Sequence, residues 1–432
     1  VTISALDGPR VGTDGPRATI TPRMIAAGSL GNMLEWYDFA AYGFLASVFA
    51  KNFFPSADPF VGLISAFGIF AASFLMRPLG GLIFGHIGDR HGRRLALYIS
   101  AGMMSVSTVA IGLLPTYGQI GAAAPLLLLA LRLLQGVSIG GEYTMAAIFL
   151  GENAHARRRG AITGFAGLGA TGGTLLGSAV GALTASVLTT DQLVAWGWRL
   201  PFLAGILLGG FTLLLRRSAN EMPEPVAPPG QAPIVAALRE DWRNILRGIA
   251  LNGMLGASFY LVFVYLTTYM HQIDGLPERE ALQINTVSMI VLLALAFFFS
   301  ALTDRVGRKI VVVGGLAGLV LFSWPLFRLI DSSDPALILM GQIGFAVLIA
   351  AYAGPMPVVL VEMFKHKTRC TALSISYNVA AGLIGGTAPM VAVYLVNRTQ
   401  NDMSPAFYLI GLAALSLAAA LTLKDRTGQS LT

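Results

Sequence analysis

The charged turn Gly85-His86-Ile87-Gly88-Asp89-Arg90-His91-Gly92-Arg93-Arg94 separates two long apolar runs. A weaker copy, Ser300-Ala301-Leu302-Thr303-Asp304-Arg305-Val306-Gly307-Arg308-Lys309, lies 215 positions later in a chain of 432 residues. A repeat at half the chain length constrains the fold more than any local propensity, because it implies two homologous halves built alike.

The stretches between the charged turns indicate what kind of halves these are. Hydrophobic residues make up 55% of the chain and charged residues 12%, against about a quarter charged in soluble domains. A spanning helix needs roughly 20 mostly apolar residues. Such runs can be placed near 24–50, 59–87, 94–115, 124–150, 160–186, 197–217, 244–271, 280–303, 310–330, 335–362, 368–397 and 404–424. The expected fold class is an all-α integral membrane protein with twelve transmembrane helices. A cytoplasmic tail over 1–23 precedes six spans over 24–217, and a cytoplasmic linker over 218–243 leads to six more over 244–424 and a tail over 425–432. Five prolines from Pro223 to Pro233 stiffen the linker, which ends in a short surface helix over 236–242.

Orientation follows from the basic residues. Of 29 Lys and Arg, only Lys51, Arg279 and Arg398 fall on the outer side if both termini are cytoplasmic, and Arg77, Arg132, Arg199 and Arg328 lie within or at the edges of spans. The other 22 face the cytoplasm, as the positive-inside rule requires. The net charge of +7 is thus an orientation charge and gives no support for a nucleic-acid partner. The first apolar run carries Glu35 and Asp38 without a small-residue cleavage signature, so it reads as a retained span. One cysteine, Cys370, allows no intrachain disulfide, and no Cys/His cluster has metal-ligand spacing. Phosphate-binding loops, nucleophile elbows and metalloprotease helices are missing, which argues against ATP-driven transport and against an enzyme.

Ionisable side chains inside spans cost roughly 2.5–3.5 kcal/mol each, so they mark candidate functional positions. Asn32, Glu35, Asp38 and Tyr42 recur at spacings of three and four and share one helical face. Arg132, Gln135 and Glu142, with Tyr143 beside them, form a second stripe on span four. Arg77 lies twelve residues before Asp89, about 18 Å by helix rise, and therefore near the midplane. Two guanidiniums at that depth suit a carboxylate, because their donor forks bind it bidentately. Alternatively Arg77 and Arg132 pair with Asp38, Glu35 or Glu142 to hold the half together, and Glu142 pairs with Arg157 or Arg159. The histidines fall in loops or at span ends, so proton binding rests on Asp38, Glu142 and Glu35. The second half offers neutral polar and aromatic groups, of which Asn252, Tyr265, Tyr352 and Asn378 lie well inside spans. Span five is glycine-rich from Gly160 to Gly177, which suits helices that slide or pack tightly.

Gly85 through Arg94 resembles the loop signature of the major facilitator superfamily, Gly-x-x-x-Asp-Arg/Lys-x-Gly-Arg/Lys-Arg/Lys, at every defined position; the second copy has Ser300 in place of the glycine. Within that superfamily the chain is similar to the metabolite:proton symporters, which carry citrate, 2-oxoglutarate, shikimate or proline and betaines. The likeness rests on Gly31-Asn32 with Glu35-Trp36-Tyr37-Asp38-Phe39, Leu75-Met76-Arg77-Pro78-Leu79-Gly80-Gly81, Arg132 with Gln135-Gly136, and Gly140-Gly141-Glu142-Tyr143. Gly197 through Phe202, and Glu362-Met363-Phe364 with Arg369, extend it across nearly the whole chain.

The resemblance implies two pseudo-symmetric six-helix bundles around a midplane site, with alternating access by rocking of the halves. The expected function is proton-coupled uptake of a small organic anion, a mono- or dicarboxylate, through a monomer in a bacterial-type inner membrane. It needs no cofactor beyond the proton gradient. Arg132 and Arg77 would attract the carboxylate, beside Gln135, Tyr42, Tyr143, Asn252, Tyr265, Tyr352 and Asn378. Asp38, Glu142 or Glu35 would bind the proton. Asp89, Arg90, Arg93 and Arg94 with Asp304, Arg305, Arg308 and Lys309 would form a cytoplasmic gate. Gly169-Ala170-Thr171-Gly172-Gly173 stands where several carboxylate carriers place polar groups, which argues against a tricarboxylate. An alternative is a zwitterion such as proline or betaine, its cationic end held by Trp36, Tyr42 or Tyr352. A more remote one is a non-transporting sensor. Osmosensing through a long C-terminal coiled coil is not expected, because the chain stops eight residues after the last span.

Overall fold

The computed structural model describes residues 32–91, 93–139, 142–218, 233–332 and 334–431. The tail 1–23, the first residues of span one and most of the linker 218–243 lie outside these residues. Among the described residues the regular structure is helical throughout, and nine helices are long and apolar enough to cross a membrane.

In chain order the first half holds α1 (Met33–Phe44, resuming as Ala46–Phe53), α2 (Pro59–Leu75, resuming as Arg77–His91) and α3 (Arg93–Leu113). It continues with α4 (Ala123–Ser138, resuming as Glu142–Asn153), α5 (Arg159–Val187) and α6 (Arg199–Ser218). A short surface helix, Pro233–Glu240, leads into the second half. There α7 runs over Trp242–Tyr260 and Leu266–Gln272, and α8 (Glu278–Val306) and α9 (Arg308–Ile330) follow. α10 (Pro335–Ala353, resuming as Met356–Met363), α11 (Arg369–Ala380 and Ala388–Thr399) and α12 (Ser404–Leu421) complete it.

Local sequence accounts for several of these boundaries. Asp58 and Asp334 each precede a proline at the first helical position, and each carboxylate accepts from a backbone amide two residues on, that of Phe60 or Ala336. Interruptions fall mid-way along α1 at Leu45, along α4 after Ser138, and along α10 at Gly354-Pro355. α7 and α11 instead widen into single π turns, Leu261–Tyr265 and Ala381–Gly385. Such turns free backbone groups and often accompany functional sites.

Small residues set the closest approaches. A Cβ placed on Gly80 of α2 would lie 1.9 Å from the Val137 carbonyl oxygen of α4, and one on Gly136 would lie 1.9 Å from that of Ser73. These reciprocal contacts lock α2 and α4 backbone to backbone. The halves meet along α5 and α8, where a Cβ on Gly160 would come within 2.6 Å of the Ser300 carbonyl oxygen. They also meet along α2 and α11, where one on Gly386 would come within 2.6 Å of Phe74. α1 meets α7 where Gly43 faces Val264.

Candidate solute and proton site

The contacts between the halves close over a small central cavity of about 10 Å³, lined by Glu35, Trp36, Phe39, Phe74, Arg77, Ile139 and Tyr260. That space admits no more than about one water molecule. Trp36 from α1 stacks on Tyr260 from α7 with ring centres 6.2 Å apart and planes within 10°. Tyr260 also meets Phe74 edge-on at 5.2 Å. Arg77 starts the second segment of α2, and its guanidinium stands over the rings of Phe74 at 5.4 Å and Tyr377 at 5.3 Å. One wall of the cavity is therefore aromatic, with a cation and a carboxylate set into it.

A second constellation lies behind that wall, within the first half. Arg132 on α4 donates through Nη1 to Asp38 Oδ2 on α1 at 2.7 Å, and neither side chain is exposed at all. The same nitrogen donates to Gln135 Oε1 at 2.9 Å, and Gln135 donates in turn to Thr108 Oγ1 at 3.0 Å. The guanidinium lies 4.0 Å from the centre of the Tyr42 ring and 5.4 Å from that of Phe39. Asp38 Oδ1 and Arg132 Nε and Nη2 have no hydrogen-bond partner among the described atoms. Phe39 belongs to both places: it lines the cavity and it lies against Arg132.

A third cluster closes the end that the basic-residue bias assigns to the cytoplasm. Asp304, at the end of α8, accepts from the backbone amides of Gly160 and Ala161 at the start of α5, each at 2.9 Å. Arg308 pairs with Asp304 at 2.7 Å and approaches Glu362 at 3.4 Å, and Arg159 crosses from the first half to Glu362 at 2.7 Å. Arg369 pairs with Glu152 at 2.6 Å. The segment after α12 adds to the closure: Arg159 donates to the Gln429 carbonyl at 3.1 Å, and Asp425 accepts from the Lys309 amide at 3.1 Å. At the opposite end Ser47 of α1 donates to Glu278 of α8 at 3.1 Å. Contacts between the halves thus lie both above and below the cavity.

These three clusters distribute the residues expected from sequence. Arg77 and Glu35 line the cavity. Arg132, Gln135, Tyr42 and Asp38 form the buried network behind it, where the guanidinium is occupied by its own carboxylate. Tyr143 stacks on Tyr377 at 4.9 Å. Asn252 donates to the Gly248 carbonyl of its own helix, Tyr352 donates to the Leu251 carbonyl, and Tyr265 packs against Phe67 and Tyr269. Asn378 is buried, with its side-chain oxygen unpartnered among the described atoms. Of the residues expected to form a cytoplasmic gate, Lys309 reaches the Leu421 carbonyl and Arg305 is exposed. The side chains of Glu142, Asp89, Arg90, Arg93 and Arg94 lie outside the described part of the structure. The sequence assigns no site role to Tyr260, Phe74, Phe39 and Ile139 on the cavity wall, nor to Arg159, Glu362 and Glu152 in the ion pairs of the third cluster.

The sequence profile of the sugar (and other) transporter family matches residues 24–224 and 234–432. The chain belongs to this family. As a major facilitator transporter it is 35% identical over 423 residues to the proline/betaine transporters of Salmonella typhimurium and Escherichia coli K12, covering 95% of this chain and 84% of each. It is 36% identical, with the same coverage, to the glycine betaine/proline/ectoine/pipecolic acid transporter of Dickeya dadantii. Its fold matches that of the proton:xylose symporter bound to 6-bromo-6-deoxy-D-glucose with a TM-score of 0.75 at 18% identity, covering 95% of this chain and 97% of that one. The partially occluded inward-open xylose transporter of Escherichia coli matches with a TM-score of 0.71, also at 18% identity, covering 95% and 99%. The fold and membrane location of this transporter are those expected from the duplicated turn and the apolar runs, and its family is one of carriers, not enzymes.

Proposed function

We propose that this transporter takes up a small zwitterion, proline or a betaine, together with a proton. The observation that carries the reading is the cavity wall, where Trp36, Phe74 and Tyr260 stand beside Glu35 and Arg77. Aromatic faces hold a substituted ammonium by cation–π attraction, worth about 2 kcal/mol or more when desolvated, and the Arg77 fork suits a carboxylate. The names of the relatives point the same way. A mono- or dicarboxylate, the solute expected from sequence, is served less well. Arg132 is already neutralised by Asp38, and Glu35 on the same wall repels a second negative charge.

Asp38 is the proposed proton site. Protonation would release Arg132 from its partner and loosen the packing of Phe39 against it, so proton and solute would act on the same wall. Coupling requires that both favour the same conformational transition. A cavity of about 10 Å³ must widen to take either solute. The test is uptake of radiolabelled proline and glycine betaine into proteoliposomes, with and without an inward proton gradient and with succinate or lactate as competitors. Accumulation driven by the gradient and competed only by zwitterions is the expected result. Competition by the acids alone would restore the organic-anion reading, and indifference to the gradient would leave a uniporter.

A further inference from the structure

A second cavity lies apart from the central one. A cavity of about 240 Å³ lies at the cytoplasmic end of the second half, between α7, α9, α10, α12 and the segment after α12. Arg247, Arg308, Lys309, Lys424 and Arg426 line it, with Glu362 as the one carboxylate on its wall. Glu362 is already shared by Arg159 and Arg308. Arg247 donates to Asn244 at 3.0 Å, and Lys309 Nζ donates to the Leu421 carbonyl. Neither neutral partner lowers the charge, and Arg308 is held by Asp304 and Glu362, so the excess positive charge on the wall is carried by Arg247, Lys309 and Lys424.

We infer that this cavity binds a phosphate-bearing anion. Guanidinium forks match tetrahedral oxyanions in geometry as well as charge, and nothing in the central transport site requires such a cluster so far from it. Its depth is set by its neighbours. Trp242 and Leu246 on α7 are half exposed, as are Ile234, Val235 and Leu238 on the preceding surface helix, and an apolar face of that kind lies at the boundary of headgroups and acyl chains. The phosphate of an anionic lipid in the cytoplasmic leaflet can therefore enter the cavity, where basic residues gain from the negative surface potential. A free phosphate from the cytoplasm offers the same chemistry. Arg308 lines the cavity and also pairs with Asp304 and Glu362, so an occupant would compete with the gate for this side chain.

The inference does not depend on which solute is carried. The purified transporter would be titrated with phosphatidylglycerol, phosphatidylcholine and, separately, inorganic phosphate at constant ionic strength, with binding read by native mass spectrometry and by the shift in melting temperature. Binding of phosphatidylglycerol or of inorganic phosphate is expected to weaken at least tenfold in Arg247→Gln/Lys424→Gln. Arg243→Gln, a cation on the same helix that does not line the cavity, should leave it unchanged, and Arg247→Lys should restore part of it should the double variant fold poorly. Selectivity for the lipid identifies a headgroup, and binding of inorganic phosphate alone identifies a soluble anion. Equal loss in Arg243→Gln, or no preference of the wild type for either phosphate probe over phosphatidylcholine and chloride, would overturn the inference.

Discussion

Asp38 and Arg132, 94 positions apart in sequence, meet at 2.7 Å with neither side chain reaching solvent. The pair ties α1 to α4 behind the cavity wall, and Phe39, which lines that wall, lies against the Arg132 guanidinium.

Removing one partner of a buried pair costs about 3–5 kcal/mol, because the other charge is left uncompensated. Arg132→Ala is therefore expected to lower the melting temperature in detergent sharply. Asp38→Asn should abolish gradient-driven accumulation, and combining it with Arg132→Gln should recover much of the lost stability. A double variant no more stable than Arg132→Ala would argue against a pair that acts as a unit.

Arg77→Lys keeps the charge at the cavity but loses the planar fork. Under the proposed function the KM for proline is expected to rise at least tenfold, with the melting temperature nearly unchanged, and transport assays in proteoliposomes give the comparison directly. An unchanged KM would remove Arg77 from the solute site.

Gly136→Ala places a methyl group against a backbone carbonyl that has nowhere to move, whereas Gly102 has nothing within 4 Å of its missing Cβ. The first substitution should destabilise by more than the usual 1–3 kcal/mol of overpacking. Gly102→Ala should be neutral or slightly stabilising, since alanine is the better helix former. Fluorescence-detected gel filtration after heating distinguishes the two.

Asp304→Asn weakens the cytoplasmic closure by removing the charge shared with Arg308 and the two α5 amides. Spin labels at Arg158 and Lys367, both exposed, on a Cys370→Ser background should report a larger fraction of long distances than in the Asp304 parent. The same distance distribution in both would mean that Arg159–Glu362 and Arg369–Glu152 hold the gate without Asp304.

Asp274, in the loop between α7 and α8, has its carboxyl pushed up to about 8, chiefly by burial and further by Asp331 and Asp402. Folding then favours its protonated form. That contribution is fully present below the unfolded value, near 4, and is lost as the pH rises through about 8. Asp274→Asn should melt higher than the wild type at pH 8.5 and no differently at pH 4. A constant offset across that range would mean that Asp274 titrates normally.

Span order and the polar stripes were legible from the chain because a charge inside an apolar run is costly and helical spacing shows which charges share a face. Both signals single out Asp38 and Arg132 but carry no information on whether the two meet each other or a solute. Tyr260 and Phe74 were not legible as cavity walls, since an aromatic residue in an apolar helix looks the same whether it faces lipid, core or solute. Nor was the gate partnership of Arg159 with Glu362, which spans 203 positions and exists only once the halves dock. The second copy of the charged turn drew attention to Asp304, but its acceptance from α5 amides has no side-chain signature on α5.

That last contact has a consequence for how the carrier can vary. The groups that Asp304 grips are main-chain amides, present for any residue but proline at positions 160 and 161, so half of this latch survives nearly every point mutation there. What can be lost is access: a side chain at 160 would meet the Ser300 carbonyl and the Asp304 carboxylate itself. Substitution should therefore leave the transporter unable to shut rather than unable to grip. Each opening must also hydrate one carboxylate and two amides together, which makes the step cooperative and sensitive to the availability of water.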